Sequence, residues 1–95
     1  MSGSGLSTMA PLRRLSVVIP AKDEGASVGS TVEALHRELA LHHIPHEIVV
    51  VDDGSTDATW DVLERLVPAI PSLRPVRNGG PFGFGRAVIR GIDAA

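Results

Sequence analysis

A continuous apolar run that breaks abruptly into two carboxylates, IVVVDDGSTD at residues 48–57, constrains this chain more than any other feature. Glu47–Val51 carries Ile and Val with no polar alternation, the pattern of a central parallel strand buried on both faces. About thirty residues earlier, LSVVIPAKDE (15–24) is another short apolar run ending in a polar turn. Two such strands ending side by side would bring Lys22, Asp23, Glu24, Asp52 and Asp53 to one sheet edge. Open α/β sheets bind ligands outside the carboxyl ends of their strands, so that edge is the place to look.

From Leu15 onward the pattern alternates strand and helix. Leu15–Ile19 is a β-branched run, and Pro20 stands where a strand can end. Val28, Val32, Leu35 and Leu39, spaced by four, three and four, make one helical stripe. Ser30 and Glu33 have capping-box spacing, and a start nearer Ser27 is equally compatible. This helix should fade at His42-His43, because Pro45 disfavours a helical Ile44. After the second strand, Ser55 or Thr56 can cap a helix whose stripe is Trp60, Leu63 and Val67, ended by Pro68 and Pro71. A third strand over 73–76, a glycine-rich loop and a helix over 84–95 complete the series. The order βαβαβα predicts an α/β fold with a Rossmann-like parallel sheet and right-handed crossovers.

Length allows one small domain among the 95 residues. Residues 1–14 read as a flexible leader without the apolar core of a signal peptide, and 15–95 as the domain. Three strands make a thin sheet and the sequence stops in a helix, so the domain is expected to be truncated at its carboxyl end. With 43% hydrophobic and 21% charged residues the chain is of the globular class, not the disordered one. A formal charge of −2 argues against a nucleic-acid partner. The absence of cysteine excludes disulfides and thiolate metal sites, and fits a reducing cytoplasm.

The candidate site residues each have a plain structural reading beside the functional one. Ionised Asp52 and Asp53 are acceptor-only groups suited to a ribose hydroxyl or a base imino N–H, and Asp-Gly-Ser is equally a common turn. Pro20 and Ala21 can form a flat apolar wall, and Glu24 can bond a ribose or base edge. Lys22 stands near any phosphate or is a solvated loop lysine, while Asp23 can close the turn. In NGGPFGFGRAV (78–88) the glycines permit close backbone approach and Arg86 could meet a pyrophosphate; tight helix packing at Gly85 and Gly91 explains them as well. A dinucleotide fingerprint is excluded by position, since its glycines must follow the first strand. The four histidines have no acidic or cysteine partner at ligand spacing, and Trp60 reads as core.

These residues together resemble the amino-terminal part of glycosyltransferase family 2, nearest its polyprenol-phosphate (dolichol-phosphate mannose synthase-like) branch. VVIPAKDE matches the family's Pro-x-x-Asn-Glu through Pro20 and Glu24, with Asp23 in place of the usual Asn. VDDGSxD is complete as Val51, Asp52, Asp53, Gly54, Ser55 and Asp57, and Asn followed by GxGxAxxxG is met by Asn78, Gly83, Gly85, Ala87 and Gly91. The likeness spans about residues 15–95.

It implies the nucleotide-binding half of a GT-A fold and a glycosyltransferase acting on a UDP- or GDP-linked sugar. By position, Pro20, Ala21, Glu24, Val51 and Asp53 would line the nucleotide pocket. Asp52 would brace the loop, and Lys22 and Arg86 would support. The extra negative charge of Asp23 would oppose a diphosphate unless paired, for example with Lys22. The family's Mg²⁺ or Mn²⁺ is held by a later acidic motif expected beyond Ala95, so no metal ligand and no catalytic base is assigned here. Activity of this stretch alone is therefore not expected. The implied acceptor is a polyprenol phosphate or glycan, and the implied location is cytoplasmic, peripheral to the inner membrane face. Two other readings stay open: a non-catalytic nucleotide-binding or interaction module, and a sugar-phosphate nucleotidyltransferase. The latter usually has a GxGxRxxP loop on its first strand, which Ile19–Glu24 lacks.

Overall fold

In the computed structural model, which describes residues 14–95, strand β1 (Leu15–Ala21) runs parallel to β2 (His46–Asp52). Strand β3 (Leu73–Arg77) lies parallel on the other side of β2, giving the order β1-β2-β3. Residues 1–13, most of the expected leader, lie outside the described residues. Helices α1 (Val28–Leu41), α2 (Thr59–Leu66) and α3 (Phe84–Ala94) alternate with the strands, so the βαβαβα order holds.

Side chains of β2 alternate between two apolar layers. Ile48 and Val50 pack with Val28 and Val32 of α1, Leu63 of α2 and Leu73 of β3. Val49 and Val51 face the opposite way, against Ala87 of α3. Burial on both faces is why this strand contains no polar alternation. Gly91 brings α3 down onto the sheet: a Cβ there would run into Val18 Cγ1 and stand 2.9 Å from Val51 Cγ2. Gly85 has no such neighbour, so of the two glycines only Gly91 has the expected packing role.

Several boundaries differ from the sequence expectation. Strand β1 continues through Pro20 to Ala21, and β3 ends at Arg77, one residue past the expected 73–76, with Pro75 inside it. Leu15 N–H bonds Pro45 and Ala21 C=O accepts from Asp53, so the odd residues of β1 address β2 and Pro20 points to the outer edge. On β3, Ser72 and Asn78 bond β2, which turns Pro75 outward in the same way. Proline on an edge strand costs no ladder hydrogen bond there. Helix α1 follows Ser27, with no side-chain cap. Helix α2 follows Ala58, not Ser55 or Thr56, whose polar groups are used elsewhere. Trp60 is half-buried on the flank of α2, with the Arg77 guanidinium 4.4 Å from its ring centroid; Thr59 and Leu63 take the buried face.

Candidate functional site

The equal lengths of β1 and β2 decide the site, because Ala21 pairs with Asp52 and both strands end at one level. Beyond that edge lies a cleft of about 460 Å³. Pro20, Ala21, Lys22 and Glu24 enter it from β1 and its turn, and Asp53 enters from β2. Phe82, Gly83 and Phe84, from the loop into α3, form the remaining wall.

Asp53 ties these parts together. Its N–H donates to Ala21 C=O at 2.8 Å. Asn78 Nδ2 donates to Asp53 Oδ1 at 2.9 Å, and Gly83 N–H donates to Oδ2 at 2.9 Å. Asp53 is 6% exposed, and each carboxylate oxygen keeps acceptor capacity beyond its one internal donor. Asn78 also donates to Pro81 C=O and accepts from Gly80 N–H, which shapes the glycine-rich loop around one buried amide. Gly54, at φ +80°, lets the chain turn beneath Phe82; a Cβ would stand 2.9 Å from Phe82 Cε1.

The other expected residues lie nearby but not in the cleft. Val51 is fully buried against α3, since strand alternation sends its side chain to that face. Asp52 accepts the Ser55 N–H at Oδ1, 3.0 Å, and borders a separate depression with Trp60 and Arg77. Arg86 is two residues into α3, about 200° round the helix from Phe84, and lines a third depression with Ile89 and Arg90. Among the described residues Lys22 has no ion pair, so it does not neutralise Asp23.

Asp23 turns its carboxylate onto the second loop. Its Oδ1 accepts the Thr56 N–H at 2.7 Å and the Asp57 N–H at 3.3 Å, while Asp23 N–H donates to Ser55 Oγ at 2.8 Å. The residue has φ +51°, a conformation that Asn and Asp tolerate better than most side chains. Asp57 returns the contact: Oδ2 accepts the Gly25 N–H at 3.0 Å, and Oδ1 accepts both the Thr59 N–H and hydroxyl. The Thr59 hydroxyl and these N–H groups hold the Asp57 carboxyl below its ordinary value of 3.8.

Phe82, Phe84, Asn78 and the Asp23–Asp57 lacing were not assigned to the site from sequence. Asn78 was marked by its motif, yet nothing in the spacing showed that its amide meets Asp53. A fit for the family's divalent ion fails here: among the described residues no three His, Asp or Glu side chains converge as a cation site. Asp53 is engaged by Asn78 and Gly83.

The family described as Glycosyl transferase family 2 matches residues 16–95. This chain belongs to that family. It is 34% identical over 82 residues to the dolichol-phosphate mannosyltransferase of Pyrococcus furiosus, covering 86% of this chain and 22% of that protein. Identity to the dodecaprenyl-phosphate galacturonate synthase of Rhizobium johnstonii is 38% over 82 residues, 85% of this chain and 24% of the relative. The polyprenol monophosphomannose synthase of Mycolicibacterium smegmatis is 30% identical over 93 residues, 97% of this chain and 34% of the relative. The chain thus spans between about a fifth and a third of the length of these relatives.

Proposed function

We propose that the strand-end cleft binds the nucleoside diphosphate of a UDP- or GDP-linked sugar, as the donor half of a glycosyltransferase. The observation that carries this is the meeting of Pro20, Ala21, Glu24 and Asp53 at one sheet edge, in a chain of this family. Asp53 has the acceptor capacity for a ribose hydroxyl or base imino N–H, and its hydrogen bonds to Asn78 and Gly83 fix its direction beforehand. Pro20 and Ala21 give an apolar wall, faced by the exposed ring of Phe82. Lys22, at the rim, supplies positive charge toward the phosphates.

The acceptor we propose is a polyprenol phosphate, because the names of three relatives carry that lipid class. No helix among the described residues is long and apolar enough to cross a membrane; the proposed place of meeting such an acceptor is the inner membrane face. The acceptor-binding and metal-binding parts are proposed to lie in sequence that this chain does not share with its relatives.

Calorimetric titration with UDP, GDP and, as a control, ADP tests the reading. One of UDP or GDP binds, and Asp53→Ala lowers the affinity by at least about tenfold while circular dichroism is unchanged, the scale of one lost charged hydrogen bond. Failure of both UDP and GDP to bind overturns the cleft assignment. Binding without sugar transfer to a polyprenyl phosphate would make this a binding module.

A further inference from the structure

The loops leaving β1 and β2 are laced by reciprocal hydrogen bonds that no ligand-facing role explains. Thr59 is fully buried, and its hydroxyl accepts the Glu24 N–H at 2.9 Å while donating to Asp57 Oδ1. Asp57 Oδ2 takes the next amide, Gly25 N–H, at 3.0 Å. Two successive amides of the β1–α1 turn are therefore held by two side chains, Asp57 of the β2–α2 turn and Thr59 at the first position of α2. Glu24 C=O in turn accepts from Ser27 and Val28, so the start of α1 is referred to the same point. Neither Asp57 nor Thr59 lines the cleft, but Glu24 does.

We propose that Asp57 and Thr59 form a positioning unit that sets Glu24 in the cleft and thereby governs nucleotide affinity without touching the nucleotide. The inference rests on the nucleotide-binding reading for its functional part and on the lacing alone for its structural part. Asp57 and Asp23 differ in a way that makes it testable. All three contacts to the Asp23 side chain fall on Oδ1, so an amide oxygen can replace that carboxylate. Asp57 uses both oxygens as acceptors, with N–H donors on each. An Asn at position 57 must present its NH₂ to one of them, and two donors facing each other leave both unsatisfied. The chemistry predicts a swap tolerated at position 23 and damaging at position 57.

The experiment compares Asp23→Asn, Asp57→Asn, Thr59→Ser and Thr59→Val in the 95-residue protein, with UDP and GDP affinity and ¹⁵N spectra as readouts. Asp23→Asn and Thr59→Ser stay within about twofold of wild type, whereas Asp57→Asn and Thr59→Val lose about tenfold, the effect of an unsatisfied donor. Equal affinity for Asp57→Asn and wild type in a folded protein overturns the proposal. Should those variants fail to fold, the wild-type protein decides. Gly25 and Glu24 amide resonances must shift together as Asp57 is protonated at acid pH, below its ordinary 3.8. Amides that stay still through that titration overturn the lacing. If wild type binds neither nucleotide, the cleft reading falls while the amide titration still judges the lacing.

Discussion

Gly91 and Gly54 show how single missing side chains place whole segments. At Gly91 a methyl group has no room between Val18 and Val51, so Gly91→Ala must lift α3 off the sheet. Overpacking of this kind costs about 1–3 kcal/mol, seen as a lower urea midpoint with an unchanged slope. Gly54 has a different constraint: its φ of +80° suits glycine, and Phe82 lies directly over it. Gly54→Ala therefore adds about 1–2 kcal/mol of backbone strain and pushes Phe82 into the cleft. The expected result is weaker nucleotide binding together with lower stability, whereas Gly91→Ala acts about two turns from Phe84, the α3 residue that lines the cleft, and should lower stability with the smaller loss of binding. Titration calorimetry beside urea unfolding separates the two.

At the scale of elements, Glu47 joins all three strands and α3 at the end of the sheet remote from the cleft. It is buried in β2, accepts the Ser16 hydroxyl of β1 at 2.6 Å and the Arg74 guanidinium of β3 at 3.2 Å. The same Arg74 nitrogen donates to Ala94 C=O in the last turn of α3. Ser16, then Arg74 and Arg14, hold the Glu47 carboxyl below its ordinary 4.5 against the opposing effect of burial. A depressed folded-state value gives stability that is full above pH 4.5 and is lost as pH falls through the lowered value. Urea midpoints should thus decline below about pH 4.5, and Glu47→Gln should be less stable at pH 7 with a flatter decline. What was legible at this scale follows local rules. The unbroken apolar run of β2 and the 4-3-4 stripe of α1 were plain because periodicity reports burial directly. Pro20 misled because a proline's tolerance depends on which edge its strand occupies, a property of the assembled sheet. Trp60 misled because Arg77 covers part of its ring from the flank. The lacing of Asp23 to Thr56 spans 33 positions and exists only through the β1–β2 register, so no local pattern announces it.

For the molecule as a whole, the two layers are unequally covered. Helices α1 and α2 close one face with Leu63, Val28 and Val32, but α3 alone covers the other, and does so through Ala87 and Gly91. Its larger apolar residues turn outward: Phe84 is 74% exposed, Ile92 60% and Ile89 56%. Among the described residues β1 pairs only with β2 and β3 only with β2, so both outer edges lack a strand partner. Unpaired edges and contiguous exposed apolar groups are the two features that drive association of otherwise folded chains. A net charge of −2 offers little repulsion to oppose it. The 95-residue protein is accordingly expected to self-associate as its concentration rises, and raising the salt concentration should strengthen the association because the surface involved is apolar. Sedimentation velocity over a concentration series measures this directly, and Ile89→Glu with Ile92→Lys should return the chain to a monomer without loss of helix content. Both positions lie away from the cleft residues, so nucleotide affinity should survive the double change. A wild-type chain that stays monomeric throughout the series would show that the exposed face of α3 and the open edges of the sheet are well enough solvated at this size.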